Sequence, residues 1–141
     1  MKQILSMLFA LAVVVTTTST VYACTNATLN TKYALTDTGF FSPHRPVIGP
    51  ESPVAAVGVV TFDGNGNASF NFTLSLNGAI FTSQSDTGTY TVNSDCTGSI
   101  SFTTGDFAPF NFNIVIIGGG TEIFGIFADS GNTQTFDAKK Q

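Results

Sequence analysis

The sequence predicts an all-β domain that closes as an antiparallel up-and-down β-barrel of about eight strands, with a β-sandwich as the alternative. Three observations predict it: apolar and polar residues alternate with period two, turn residues interrupt that alternation at short intervals, and only 10% of the chain is charged. Thr, Ser and Asn fill the polar positions instead, which suits strands and turns and argues against long amphipathic helices. A meander of many short strands must close or stack, because open edges invite pairing with other chains. Short local turns favour closure, whereas a sandwich usually needs longer crossing connections.

The elements follow in order. Lys2 precedes an uncharged apolar run over residues 4–15, then Thr16 to Thr20, and then Val21-Tyr22-Ala23. Small residues at −1 and −3 suit signal peptidase, so residues 1–23 read as a signal peptide and residues 24–141 as one secreted domain. The apolar run is too short for a spanning helix, which needs about 20 residues. A first strand is expected around residues 29–40. Residues 41–53 hold four of the five prolines, together with His44, Arg45 and Glu51, and read as a non-regular loop that could cover a barrel mouth. Residues 53–62 are β-rich, and Asp63-Gly64-Asn65-Gly66-Asn67 is a turn. Between Ala68 and Leu76 every even position is apolar and every odd one polar, which sets one face inward. Asn77-Gly78 signals a hairpin into residues 79–85.

Farther on, Gly88, Tyr90 and Val92 share a face opposite Thr87, Thr89, Thr91 and Asn93. A turn over residues 93–98 leads into residues 99–104, with Ile100 and Phe102 inward. Phe110, Phe112, Ile114 and Ile116 alternate in the next strand. Gly118-Gly119-Gly120 turns into residues 122–128, and a last segment at residues 133–138 precedes a solvated Lys139-Lys140-Gln141 tail. The count is eight or nine strands.

Cys24 and Cys96 are the two cysteines. In an oxidising compartment the simplest reading is a disulfide bond from the extreme N-terminus to a mid-chain turn. The rival is lipidation of Cys24 directly after the cleavage site, so the localisation reads as secreted or periplasmic, with a lipid anchor through Cys24 as the alternative. The four basic residues of the secreted part (Lys32, Arg45, Lys139, Lys140) face nine acidic ones. That balance leaves no footprint for nucleic acid or anionic membrane.

No catalytic constellation, cofactor motif or metal-ligand cluster is legible. Asp63-Gly64-Asn65-Gly66-Asn67 lacks the distal glutamate of a calcium loop, and Gly118-Gly119-Gly120 lacks the lysine and helix of a phosphate loop. Asn26, Asn67 and Asn71 open glycosylation-type triplets that Asn/Thr-rich chains produce by chance. His44, Arg45 and Glu51 are loop candidates for an acid–base or anion-binding group, against the plainer reading of ordinary polar loop residues. Glu122 reads as a surface carboxylate, although its place beside Ile123 leaves the facing ambiguous. The distinctive feature is fourteen phenylalanines and no tryptophan. Phe70, Phe72, Tyr90, Phe102, Phe110, Phe112 and Phe124, with Phe62, fall on or near inward positions. They predict either a packed aromatic core or an apolar ligand cavity.

The stretch GTYTVNSDCTG at residues 88–98 resembles a motif of small, predicted-secreted bacterial proteins, and PVAAVGVVTFDGNGN (53–67) and the closing AKKQ (138–141) are similar to the same group. That resemblance implies a barrel and no activity. The general pattern also resembles, at fold level, the small barrels of allene oxide cyclases and dirigent proteins, which hold hydrophobic intermediates and guide cyclisation or coupling by shape.

The leading expectation is a non-enzymatic secreted barrel that binds a small hydrophobic ligand or serves as a stable extracellular module. A second is a shape-guiding enzyme of the cyclase or dirigent type, needing polar groups such as Tyr90 or Glu122 to point inward. A third is a cell-envelope or surface interaction protein using exposed Thr/Asn faces or an unpaired edge.

Overall fold

A computed structural model describes residues 23–41 and 52–141. One 3-10 turn, Asn26–Thr28, precedes eight strands: β1 (Lys32–Phe41), β2 (Ser52–Phe62), β3 (Asn67–Leu76), β4 (Ala79–Val92), β5 (Thr97–Thr104), β6 (Phe110–Ile117), β7 (Glu122–Phe127) and β8 (Thr133–Lys140). Each strand pairs antiparallel with the next, and β1 pairs with β8 from Tyr33↔Lys140 to Phe40↔Thr133. The sheet is therefore a closed barrel in simple sequence order, as the alternation and short turns predict.

The eight strands correspond closely to the expected segments, with two differences. Residues 79–85 and 87–92 belong to one long strand, β4. Its continuity is disturbed by a register shift opposite β3 between Phe72 and Leu74, by Ser83 at φ 58°, and by a second shift opposite β5 at Thr87/Gly88. A bulge bends a strand without ending it, so the sequence signal of interruption is a kink in one strand. At the C-terminus, Lys139 and Lys140 are strand residues and not a free tail; Lys139 stands opposite Glu122 in the ladder.

The even-numbered positions of β3, β5 and β6 point inward with Phe70, Phe72, Leu74, Ile100, Phe102, Phe110, Phe112 and Ile114, all buried. Outer faces carry hydroxyl pairs across strands, such as Thr91 to Ser99 at 3.0 Å and Thr87 to Thr104. The turns follow their residues: Asn77 and Gly78 both have positive φ, which a two-residue hairpin whose twist matches its strands requires. Asp63 Oδ1 accepts the N–H groups of Asn65 (2.8 Å) and Asn67 (2.9 Å). This carboxylate closes the turn, and the Asn67 side-chain amide donating to its Oδ2 at 2.6 Å, together with those backbone bonds, lowers its pKa to about 2.

One barrel end is plugged by the N-terminal segment. Leu29 is fully buried there beside Tyr33, Phe62 and Tyr90, whose rings meet edge to face at 5.7 and 4.9 Å. The Tyr90 hydroxyl donates to the Leu29 carbonyl (2.7 Å), with the Asn26 carbonyl at 2.8 Å. Asn26 Oδ1 accepts from Val92 N–H at 2.8 Å. Tyr33 donates to the Gly120 carbonyl at 2.6 Å. Gly120 itself, at φ +94°, allows the Thr28 carbonyl to come within 2.6 Å of where a Cβ would stand. A disulfide joins Cys24 to Cys96 across 72 residues, holding the plug to the β4–β5 turn.

Two stability outcomes follow. Replacing both Cys24 and Cys96 by serine frees a loop of that length and should lower the unfolding free energy by about 4 kcal/mol in the chain-entropy treatment, read from urea denaturation. Gly125 faces Phe136, and an added Cβ would lie 2.0 Å from the ring's Cε1. Gly125→Ala should therefore cost about 1–3 kcal/mol by overpacking in the same assay.

Candidate functional site

The opposite end of the barrel is built differently. β2 presents small inward positions, Val54, Ala56 and Gly58, across from the larger Leu76, Leu74 and Phe72 of β3. No plug like Leu29 fills this end among the described residues. The result is a cavity of about 50 Å³ walled by Val54, Ala56, Phe70, Phe72, Leu74, Leu76, Phe110 and Phe112, with Phe41, Phe107 and Phe127 at its margin. Phe70 and Phe72 stack at 4.4 Å, and Phe112 meets Phe136 edge to face at 5.0 Å. Phe107, from the β5–β6 connection, lies against Phe72 and Phe81. Broader grooves on the outer strand faces are shallow and solvent-facing.

Two polar side chains line this otherwise apolar space: Asp37 from β1 and Gln134 from β8. Both are over nine-tenths buried. Asp37 stands opposite Phe136, two residues from Gln134, so the two are diagonal neighbours on one inward face. Asp37 Oδ1 and Gln134 Nε2 have no hydrogen-bond partner among the described residues. Burial pushes the Asp37 carboxyl up to about 7, against a smaller lowering by the Thr38 backbone N–H. A second buried carboxyl, Asp86, sits outside the cavity wall with both oxygens unpartnered among the described residues. Burial and the charge of Asp106 push it up to about 6.

The predicted ligand-binding residues divide into three sets. Phe70, Phe72, Phe110 and Phe112 come together in the cavity wall. Phe102 is buried behind them, 5.9 Å from Phe70 and 5.0 Å from Phe110. Tyr90 is inward but belongs to the plug at the other end, where burial raises its phenol above the ordinary value and its proton is committed to backbone carbonyls. Phe124 is a correction: it points outward and is 42% exposed, because Ile123 takes the inward place in β7. The same parity turns Glu122 outward to an ion pair with Lys139 at 3.3 Å. His44, Arg45 and Glu51 lie outside the described residues. Among the described residues, no group of three His, Cys, Asp or Glu side chains is placed to hold a metal ion.

Sequence reasoning missed Asp37 and Gln134. Their signal was parity alone: Asp37 continues the inward series Tyr33, Leu35, and Gln134 precedes Phe136 and Ala138 on theirs. No protein family, curated protein or solved structure matches the chain.

The buried carboxyls carry a pH consequence. Asp37 and Asp86 have folded-state values above their unfolded ones, so the native state binds more protons between about pH 4 and 7, and stability falls as pH rises through that range. The lowered values of Asp63 and Asp95 act in the opposite sense but only at lower pH. Unfolding free energy measured in urea should thus be smaller at pH 8 than at pH 5. Asp37→Asn should remove about 2–3 kcal/mol of that difference.

Proposed function

We propose that this chain is a secreted, non-enzymatic binding protein that holds a small apolar molecule in the cavity walled by β1, β2, β3, β6 and β8. The observation that supports this most directly is an aromatic-walled cavity retained at one end of a barrel whose other end is filled by Leu29 and two tyrosines. Interiors are close-packed as a rule, and a barrel of eight strands has room either for its own side chains or for one small ligand. Delivery outside the cytoplasm is read from residues 1–23, and the Cys24–Cys96 disulfide is compatible with an extracellular or periplasmic location. The shape-guiding enzyme reading has less support, because the two groups expected to serve it, Tyr90 and Glu122, lie at the plug and on the outer surface.

A second reading, a surface interaction protein, is favoured by one feature. Val115, Ile117, Phe124 and Ile126 form an exposed apolar band on the outer face of β6 and β7.

Binding can be tested with ethane as a minimal apolar probe, followed by NMR on the disulfide-bonded protein. Resonances of Val54, Leu74, Leu76 and the cavity phenylalanines should shift saturably, and the melting temperature should rise by mass action. Ala56→Leu, which fills the space, should abolish the shifts while leaving the fold intact. Shifts confined to the outer face of β6 and β7 would favour the second reading.

A further inference from the structure

The polar pair in the cavity narrows the ligand class, on the premise that the cavity binds an apolar molecule at all. We propose that the ligand is a small apolar alcohol whose hydroxyl bridges Asp37 and Gln134.

A buried polar group without a partner is costly, and native structures keep few of them. Here two such groups share one apolar cavity, and neither Asp37 Oδ1 nor Gln134 Nε2 has a hydrogen-bond partner among the described residues. They are not partners of each other. Diagonal neighbours on one sheet face have Cα atoms about 7–8 Å apart, close enough for one small group to meet both side chains.

The chemistry demanded of that atom is specific. Gln134 Nε2 is a donor and needs an acceptor, whereas Asp37 Oδ1 accepts when ionised and can donate when protonated. A ketone or ether would accept from Gln134 but offer nothing to an ionised Asp37. An ammonium group would satisfy Asp37 but cannot accept from Gln134. A hydroxyl does both from one oxygen, whichever protonation state Asp37 holds. The remaining wall, Val54, Ala56, Phe70, Phe72, Leu74, Leu76, offers only apolar contact, so the rest of the molecule is hydrocarbon. Size follows from volume: about 50 Å³ is well below the ~150 Å³ cavity that takes benzene. The part that enters is therefore short.

The experiment compares methanol with ethane, matched in heavy-atom count and small enough for the cavity, by NMR titration of the disulfide-bonded protein. Hydration alone favours the hydrocarbon in an apolar cavity, because the alcohol surrenders more on leaving water. An alcohol preference therefore reports a partner inside. The expected result is at least about tenfold tighter binding of methanol, with the preference lost in Asp37→Val/Gln134→Leu while ethane still binds. Should that double variant fail to fold, Gln134→Leu alone should reduce the preference several-fold. Equal binding, or tighter binding of ethane, overturns the hydroxyl assignment and leaves the apolar cavity standing; that is also the result if a resident water already serves both groups. A preference that persists in the variants overturns the assignment to Asp37 and Gln134. If neither probe shifts the cavity resonances, the binding reading falls together with this one.

Discussion

Pairing of β1 with β8 is the interaction on which the rest of this structure depends. It joins the first and last strands over eight residue pairs and removes the only edges the meander would otherwise leave. Closure creates an interior with a defined volume and two ends, and every inward side chain then competes for that volume. Whether the barrel is filled, plugged or hollow becomes a question of which residues sit at each level along its axis.

At one level the answer is complete filling. Leu29, Tyr33, Phe62 and Tyr90 occupy the end nearest the disulfide, and the two tyrosines reconcile burial with polarity by donating to backbone carbonyls of the plug and of the Gly118-Gly119-Gly120 turn. The covalent bond at Cys24 holds in place a segment that has only one short turn of regular structure. A plug this short buries little apolar area by itself, so the cross-link and the tyrosine hydrogen bonds act together. At the other end the small side chains of β2 leave space among the phenylalanines. Asp37 and Gln134 reach that space without mutual satisfaction. The molecule therefore has a structural end and a permissive end, and candidate chemistry is confined to the second.

The residues carrying this asymmetry differ in how readable they were. Alternation in residues 68–76 and 110–117 placed the phenylalanines inward because a strand's side chains switch faces at each step, independently of what lies opposite. Tyr90 obeyed the same parity, yet its role depended on meeting Leu29, sixty-one positions away, which no local pattern specifies. Phe124 was read as inward and Glu122 was ambiguous because β7 is short and both Ile123 and Phe124 are apolar, so two registers satisfy the pattern equally. Gly125 under the Phe136 ring and Ile123 in the core decide between them only after β7 has paired with β8. Asp37 was legible by parity but easily discounted, since a lone acid in a strand is usually found facing water.

What the sequence determined by itself was the all-β character, the positions of nearly all strands and turns, the aromatic interior and the cysteine pair available for bonding. These follow from local rules: alternation sets the faces, and Gly, Asn and Asp set the turns. Only the tertiary structure decided that the β4 interruption is a bend in one strand, that Cys24 and Cys96 are joined, and that the N-terminal turn seals one end. It also decided that Asp37 and Gln134 lie as neighbours on the inner face of β1 and β8, lining an apolar cavity at the other end. Each of these depends on distances between segments remote in the chain, and such distances exist only once β1 and β8 have closed the barrel.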